Sequence, residues 1–280
     1  MGTVNKKPKQ NTTSISQKKI HQFQEKVLTF YQINKRDLPW RHTTDPYKIL
    51  LSELMLQQTQ VSRVIPFYEQ WIRTWPAIED LALAPRVEVL KSWMGLGYNT
   101  RAIRLHNAAK EIVTKFDGDV LKAMEHYREI PGVGRYTSQA VRIFSTNDDL
   151  VTVDTNIRRI LIAEFHLPEN TPDALLWDIA THCLPHGRSR EWHNALMDYG
   201  ALCLTTRKTG IKPRTRQTRF EGSDRQIRAR IIKKLLEHES SFEELLRSLG
   251  IEPIRLRQIL TRLIRERIIA FKNDRYFFME

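Results

Sequence analysis

Apolar residues recur at helical spacing through the first two hundred positions, and this periodicity constrains the fold more than any other feature. Near the start, Ile20, Phe23 and Val27 lie three or four positions apart. Proline or glycine separates the periodic runs, as in "RDLPW" and "MGLGYN". No stretch before residue 205 shows convincing alternation of apolar and polar side chains. The sequence therefore predicts an all-α main body over residues 18–204.

Composition changes twice beyond this body. Residues 205–222 are rich in Lys and Arg and hold a single acidic residue, Glu221, which predicts a basic linker. Residues 223–280 then predict three helices, with Pro253 at the start of the third, and a β-hairpin around Asn273–Asp274. This order of elements resembles a winged helix, a small α+β domain.

The third helix of this tail carries a series of arginines. Residues 253–267 would be the recognition helix of a winged helix. The arginines available there for phosphate contacts are Arg255, Arg257, Arg262, Arg265 and Arg267. The alternative is a partner-binding or packing domain whose arginines form a solvated face. The sequence leaves both interpretations of the tail open.

Charge and cysteine content restrict the functional classes. The chain has 45 Lys and Arg against 32 Asp and Glu, a net charge of +13, which favours an anionic partner and most often nucleic acid. An ordinary basic soluble protein is the alternative. Residues 1–17 hold no acidic residue and predict a disordered basic arm. Two cysteines exclude a disulfide framework, and no apolar run reaches the length of a membrane span.

The low cysteine content and the lack of an apolar run of membrane length favour an intracellular protein without membrane association, and we expect a monomer. In a prokaryote we expect it in the cytoplasm beside the nucleoid. A reducing compartment suits the low cysteine content.

Two local motifs suggest a site without deciding its chemistry. "IPGVGR" at residues 130–135 places two glycines in a turn between helices, which either cradles a phosphate through outward-facing amides or serves packing alone. Asp154 in "LVTVDTNIRRIL" stands where a helix begins. Its carboxylate is either an ordinary helix N-cap or a group that faces the sugar attached to that phosphate.

Four segments, in order, carry a resemblance to a known family. They read "LPWRHTTDPYKILLSELMLQQTQV", "GLGYNTR", "IPGVGRYT" and "VDTNIRRI". Together they closely resemble the helix-hairpin-helix DNA glycosylases and, within these, the MutY-type adenine DNA glycosylases. The resemblance spans residues 20–204 and implies a two-lobed helical glycosylase body.

The resemblance implies a catalytic set of residues. Asp154 would stabilise, or transiently bond to, the cationic sugar, and Asn156 would position Asp154 or a water. Glu53 would protonate the adenine ring and afterwards activate water. Tyr136 stands where relatives that also cleave the backbone have a lysine nucleophile, which predicts base removal without efficient strand cleavage. The side chains expected to exclude water from Glu53, and so to raise its pKa, are Leu50, Leu51, Leu54 and Leu56.

Further positions imply DNA contacts and a base pocket. The DNA-binding residues that the resemblance implies are Gln57, Gln58, Thr59, Val61, Leu96, Tyr98, Gly132, Val133, Gly134 and Arg135. Among them, Tyr98 would wedge into the base stack with support from Leu96. The implied pocket wall comprises Trp40, Arg41, Leu56 and Asn194. Ordinary helix packing is the alternative for the wedge and pocket side chains.

The chain departs from the family in several respects. Most relatives hold an iron–sulfur cluster with four cysteines after the segment that here reads "DYGALC". This chain has only Cys183 and Cys203, so no cluster and no other cofactor is expected. "HCLPHG" at residues 182–187 lacks enough ligands for zinc, so no metal is expected either. Asn194 stands with a shorter reach where relatives contact adenine, and Asn99 replaces a usual second tyrosine.

The resulting expectation is a monofunctional DNA glycosylase in base excision repair. It would hydrolyse the N-glycosidic bond of a flipped adenine opposite 8-oxoguanine or guanine in double-stranded DNA. The tail is too short for the MutY domain that helps recognise 8-oxoguanine, while "MLQQTQ" favours adenine chemistry. One alternative takes thymine or uracil from a mismatch on the same fold. Another is a non-catalytic DNA-binding protein that senses damage.

Overall fold

The computed structural model describes residues 15–214 and 219–279 of the 280-residue chain. The helices of the main body are α1 (Gln17–Asn34), α2 (Pro46–Leu56), α3 (Val61–Thr74), α4 (Ile78–Leu83), α5 (Arg86–Trp93), α6 (Thr100–Phe116), α7 (Val120–Glu125), α8 (Arg135–Thr146), α9 (Thr155–Phe165), α10 (Asp173–His182), α11 (Ser189–Asp198) and α12 (Thr206–Thr209). The tail adds α13 (Asp224–Glu237), α14 (Phe242–Leu249), α15 (Pro253–Arg265), β1 (Ile269–Lys272) and β2 (Arg275–Phe278). The predicted helical body with a small α+β tail is confirmed.

The chain divides into two compact units. Unit one comprises Met1–Arg36 and Val151–Pro213, and unit two comprises Asp37–Leu150 and Arg214–Glu280. The tail thus belongs to the same unit as α2–α8. The arm predicted at residues 1–17 lies almost entirely outside the described residues. Within the described part of the chain, no helix combines the length and apolar character that a membrane span requires.

Unit one packs α1, α9, α10 and α11 around an aromatic centre. The Phe23 ring of α1 meets Phe165 and Trp192 edge to face, with ring centroids 5.2 and 5.5 Å apart. Such pairs add roughly 0.5–1.5 kcal/mol each beyond the burial of apolar area. After the end of α1, the backbone N–H and Nε of Arg36 donate to the buried carboxylate of Asp198 at 2.9 and 2.6 Å. These contacts hold α1 against α11.

In unit two, a buried aromatic cluster positions the helix that carries Glu53. The indole N–H of Trp71 donates to the hydroxyl of Tyr47 at 3.2 Å, and that hydroxyl donates to the carbonyl of Trp75 at 3.0 Å. Tyr47 is in the first turn of α2, whose N-cap is Asp45. The start of α2 is therefore fixed both by its cap and by the core.

A proline within a helical run predicts an interruption, so the sequence predicts one near Pro66, and this prediction is wrong. α3 runs through Pro66 without a break. The proline removes one N–H whose acceptor would be the carbonyl of Ser62, an exposed residue that water can reach. The break between α2 and α3 lies instead at Gln58, whose φ of 55° is left-handed.

The tail folds as the sequence predicts. Ser241 and Glu244 form a reciprocal capping box at the start of α14. β1 and β2 pair antiparallel, and Asn273 and Asp274 join them with φ of 50° and 60°. Positive φ at both central residues is typical of a type I′ hairpin turn. The three predicted helices and the hairpin are confirmed.

The "IPGVGR" turn joins α7 to α8 and is tightly constrained. The N–H of Val133 donates to the carbonyl of Ile130 at 3.1 Å. Gly132 has a φ of +80°, and a Cβ there would lie 2.8 Å from the Cβ of Arg104. The hydroxyl of Ser138 donates to the carbonyl of Met124 at 2.8 Å, which docks the first turn of α8 on α7.

The two glycines of this turn provide a matched pair of variants. We expect Gly132→Ala to lower the free energy of unfolding by about 1–3 kcal/mol. Alanine is strained at a positive φ, and its Cβ would also clash with the Cβ of Arg104. Gly134 has a φ of −101° and open space around it, so Gly134→Ala is expected to cost less than about 1 kcal/mol. Urea unfolding measures both. Equal losses for the two variants would contradict this account of the turn.

Candidate functional site

Glu53 lies on α2 beside an apolar layer. The residue is half-buried, while Leu50, Leu51 and Leu54 on the same helix are buried in the core. Leu56, at the end of α2, is half-buried against that core. The apolar neighbours that the sequence predicts for Glu53 are present on its helix, and its role as an acid stays a prediction.

A buried arginine joins two segments that the resemblance assigns to DNA. Arg101, on α6, is only 6% exposed. Its Nη1 donates to two carbonyls in the last turn of α2 at 2.8 Å and to that of Gln57 at 2.7 Å. Its Nη2 donates to Thr59 Oγ1 at 2.9 Å and to the Gly97 carbonyl at 3.0 Å. One guanidinium therefore satisfies the end of α2 and fixes the segment after it against the "GLGYN" turn.

The charge of Arg101 survives this burial. Burial lowers the pKa of its guanidinium to about 10, while the electrostatic interaction with Tyr98 acts to raise that pKa. The side chain is thus still a cation at neutral pH. A charged donor forms stronger hydrogen bonds to carbonyls than a neutral one, so Arg101 is a firm tie between the two segments.

Tyr98 stands at the tip of the second segment. Its φ is +50°, a left-handed conformation that is uncommon for an aromatic residue. The Tyr98 ring is half-buried and lies 5.6 Å from the guanidinium of Arg101. Leu96 is 5% exposed and Asn99 is also buried. Leu96 therefore supports the turn from the core, and its side chain does not form the outer surface.

The remaining positions on α2, on α3 and in the intervening segment differ in exposure. Gln57 and Gln58 are exposed, whereas Thr59 and Val61 are half-buried. In the "IPGVGR" turn, the exposed residues are Gly132, Gly134 and Arg135. Val133 is 8% exposed, so its side chain packs inward. Tyr136 is half-buried in the first turn of α8, whose leading N–H groups have no acceptor within the helix and suit an anion.

Of the residues that the resemblance assigns to a pocket wall, Trp40, Arg41 and Leu56 lie in unit two. Trp40 and Arg41 form part of a 3-10 turn at Pro39–Arg41 in unit two, and both are half-buried. The ring of Trp40 meets Tyr68 edge to face with 5.5 Å between centroids. Asn194 lies half-buried on α11 in unit one.

Asp154 caps the start of α9 in unit one. Its Oδ1 accepts from the N–H of Ile157 at 2.7 Å, and its Oδ2 accepts from Nδ2 of Asn156 at 3.0 Å. Burial raises the pKa of this carboxyl, while both hydrogen bonds and the charge of Arg159 act to lower it. The N-cap geometry is present, and it holds an ionisable group in an environment that disfavours its charge.

Arg159 fixes the orientation of Asn156 and was missed by the sequence analysis. Its Nη2 donates to Oδ1 of Asn156 at 2.8 Å and to the carbonyl of Gly200 at 3.0 Å, and its Nε donates to that of Leu204 at 2.6 Å. A guanidinium only donates, so it must face the amide oxygen and leave the NH₂ group for Asp154. The signal was present as an i, i+3 pair in "VDTNIRRI".

A neutral histidine positions the segment that precedes Asp154. His193 is 1% exposed; its Nε2 accepts from the N–H of Thr152 at 3.1 Å, and its Nδ1 lies 2.8 Å from the carbonyl of Ser189. An N–H only donates and a carbonyl only accepts, so the proton is on Nδ1. Burial lowers the pKa of His193 to about 4, which agrees with a neutral ring.

The donor set does not fit the iron–sulfur cluster of the family. Cys183 is buried and Cys203 is half-buried, and the chain has no further cysteine. Among residues 15–214 and 219–279, no group of three or more His, Cys, Asp or Glu side chains is placed to hold a metal ion. In the segment around Cys203, Arg159 instead binds the carbonyls of Gly200 and Leu204.

The structure thus brings some of the predicted residues together. Gln57 and Thr59 are joined to the "GLGYN" turn by Arg101 in unit two, which also holds Glu53 and Tyr136. Asp154 and Asn156 are in direct contact in unit one. The assignment of roles to these residues stays a prediction.

Residues 51–179 match a family described as HhH-GPD superfamily base excision DNA repair protein. An adenine DNA glycosylase of Mycolicibacterium smegmatis is 35% identical over 229 residues, which cover 74% of this chain and 78% of that protein. The chain belongs to the HhH-GPD superfamily and, within it, to the base excision DNA glycosylases.

Two further similarities concern another base. A thymine/uracil-DNA glycosylase of Methanothermobacter thermautotrophicus is 32% identical over 195 residues, covering 68% of this chain and 88% of that protein. The solved structure of a thermostable thymine-DNA glycosylase is 32% identical, with a TM-score of 0.63 over 69% of this chain and 90% of that one. The family assignment therefore leaves the preferred base to be argued separately.

The role of Arg101 is testable by unfolding. We expect Arg101→Met to lower the free energy of unfolding by about 3 kcal/mol or more, because several carbonyls lose a charged donor while the side-chain volume is largely kept. Lys115→Met on the same helix removes only an exposed ion pair and is expected to leave the free energy of unfolding almost unchanged. Equal small losses in urea unfolding would show that Arg101 is not the tie between the two segments.

The raised pKa of Asp154 predicts a definite dependence of stability on pH. A carboxyl whose pKa is higher in the folded state destabilises the fold as pH rises above the unfolded value, about 3.9. Asp154→Asn cannot ionise. Its unfolding free energy minus that of the wild type should therefore increase from about pH 4 to pH 7.5, by about 1.4 kcal/mol for each unit of raised pKa. A difference that is constant or shrinks with pH contradicts the assignment.

Proposed function

We propose that this protein is a monofunctional adenine DNA glycosylase, which acts as a monomer on adenine opposite 8-oxoguanine or guanine in double-stranded DNA. The observation that carries the proposal is Asp154, a carboxylate held by Ile157 and Asn156 in an environment that disfavours charge. Such a group gains most when a cation forms next to it. The adenine DNA glycosylase relative, of which the chain covers 78%, supports the choice of base.

In the proposed reaction, Glu53 donates a proton to the adenine ring. The bond between C1′ of the sugar and N9 of adenine breaks, and its electron pair leaves with the base. The oxocarbenium charge on the sugar is stabilised by the ionised carboxylate of Asp154. Water then adds to C1′, and the proton it loses returns to Glu53.

The residues around Asp154 prepare it for this step. Asn156 and the N–H of Ile157 hold both carboxylate oxygens, and Arg159 fixes the amide of Asn156. Because these donors are in place before the reaction, little reorganisation is needed as charge develops. The hydrogen bonds and the cation also favour the ionised form that the step requires.

Tyr136 supports a reaction that ends at the abasic site. A phenol cannot form the imine by which a lysine amine at this position would start strand cleavage. The proposal also includes function without an iron–sulfur cluster, since the chain has two cysteines against the four that a cluster requires.

A second candidate is removal of thymine or uracil from a mismatch. The thymine/uracil-DNA glycosylase relative, of which the chain covers 88%, favours it. Both candidates use the same fold and the same carboxylate, so only the substrate distinguishes them.

A panel of duplexes tests the proposal. Single-turnover assays would use adenine opposite 8-oxoguanine, adenine opposite guanine, and thymine or uracil opposite guanine. Half of each reaction is treated with hot alkali, which cleaves at abasic sites. We expect wild-type product from the adenine duplexes only, with strand breaks only after alkali. Asp154→Asn should reduce the rate by at least about a hundredfold.

The matched control is a second N-cap aspartate. Asp119 caps α7 by accepting from the N–H of Lys122 at 3.0 Å, and it is exposed. Asp119→Asn changes the same chemical group at the same helical position and should keep the wild-type rate. Product from thymine or uracil duplexes alone would select the second candidate. Absence of product from every duplex, or an unimpaired Asp154→Asn, would reject a glycosylase that works through Asp154.

A further inference from the structure

One arginine of α13 brings the tail into contact with the Tyr98 turn. The Nη1 of Arg225 donates to the hydroxyl of Tyr98 at 2.6 Å, and its guanidinium lies 5.0 Å from the centre of that ring. The same ring lies 5.6 Å from the guanidinium of Arg101. Tyr98 is therefore held by a cation from the main body and by one from the tail.

The residue before Arg225 anchors α15 at the same place. One carboxylate oxygen of Asp224 lies 2.8 and 2.9 Å from two guanidinium nitrogens of Arg255, and the other lies 3.3 Å from Nη1 of Arg262. Asp224 and Arg225 are consecutive in the chain. The α15 helix is thus tied to the segment that contacts Tyr98.

The outer face of α15 is a shallow cationic groove of about 510 Å³. The residues that line it are Ile254, Arg257, Gln258, Thr261, Arg262 and Arg265. Arg257 and Arg265 are exposed, and in the described part of the chain neither pairs with a carboxylate. The guanidinium of Arg257 lies 4.7 Å from the Phe242 ring centre, a contact that restrains it.

We propose that Arg225 and the α15 groove, which adjoin Tyr98, form one surface for the sugar–phosphate backbone of duplex DNA. We call it the α15 surface. Tyr98 is the residue that the resemblance places in the base stack, and that this duplex carries the target base rests on the proposed function. The tail would bind it on the flank next to Tyr98.

Charge and dimensions favour duplex DNA as the occupant. The surface presents the cations Arg225, Arg257, Arg262 and Arg265, and Asp224 is the carboxylate within it. Arg257 and Arg265 are eight residues apart, about 12 Å along a helix. The major groove of B-DNA is also about 12 Å wide, so the two arginines can reach phosphates on its opposite edges.

The test measures the salt dependence of binding with the full chain and an undamaged duplex. Log affinity falls linearly as log salt rises, and each phosphate contact adds about 0.9 to the steepness of this slope. We therefore expect the double variant Arg257→Gln, Arg265→Gln to lower that slope by about 1.8 and to weaken binding most at low salt. Both side chains are exposed, so thermal unfolding should change only slightly, through the lost contact between Arg257 and Phe242.

The control removes two charges elsewhere in the tail. Arg230 and Lys233 are exposed on α13 and do not line the groove. Their double change to Gln removes the same net charge and should leave most of the slope intact. A second readout extends the duplex by one helical turn on either side of a mispair. The wild type should gain affinity from one flank only, and the Arg257→Gln, Arg265→Gln variant should lose that gain.

The outcomes separate this proposal from the proposed function. An unchanged slope, or equal losses in the α15 and control variants, would overturn the α15 surface even if adenine is excised at the wild-type rate. A slope reduced only in the α15 variant, together with a gain from one flank, would support it. The change in slope would stand even if no duplex in the panel lost a base, since the salt dependence is measured with an undamaged duplex.

Discussion

The candidate chemistry depends on two opposing effects on the carboxyl of Asp154. Burial disfavours its charged form, whereas its hydrogen bonds and a neighbouring cation favour that form. Burial raises its pKa, while the N–H of Ile157, the amide of Asn156 and the cation of Arg159 act to lower it. An ionised carboxylate in such a place is ready to stabilise a nearby cation without rearrangement. A carboxyl whose pKa is higher in the folded state is expected to lower the stability of the fold at neutral pH.

Two buried arginines organise the surroundings through carbonyl groups. Arg159 links Asn156 to the carbonyls of Gly200 and Leu204. Arg101 likewise links the last carbonyls of α2 to the Gly97 carbonyl of the "GLGYN" turn. In each unit a fixed cation replaces regular secondary structure as the support of an irregular segment, because a guanidinium can satisfy several carbonyls at once. In the tail, Arg225 also supports an irregular segment, since its guanidinium donates to the hydroxyl of Tyr98.

Helical periodicity and capping signals predicted most of the elements, although the interruption expected near Pro66 was wrong. They indicated the helical body, the capping box of α14 and the hairpin at Asn273–Asp274. The buried arginines were not predicted, because in a sequence a buried cation resembles a surface one, and its acceptors are backbone carbonyls that any residue provides. The motifs also did not predict which way the side chains point. Leu96 and Val133 lie in segments that the resemblance assigns to DNA binding, yet both side chains are buried.

The central claim is that the chain releases adenine by hydrolysis that depends on Asp154. Mass spectrometry of the small-molecule fraction tests it most directly, after incubation of the full chain with a duplex that holds one adenine opposite 8-oxoguanine. We expect one free adenine per duplex, an unbroken strand with an abasic site, and adenine release at least about a hundredfold slower from Asp154→Asn. Release of another base, a strand broken without alkali, or equal adenine release by the variant would contradict it.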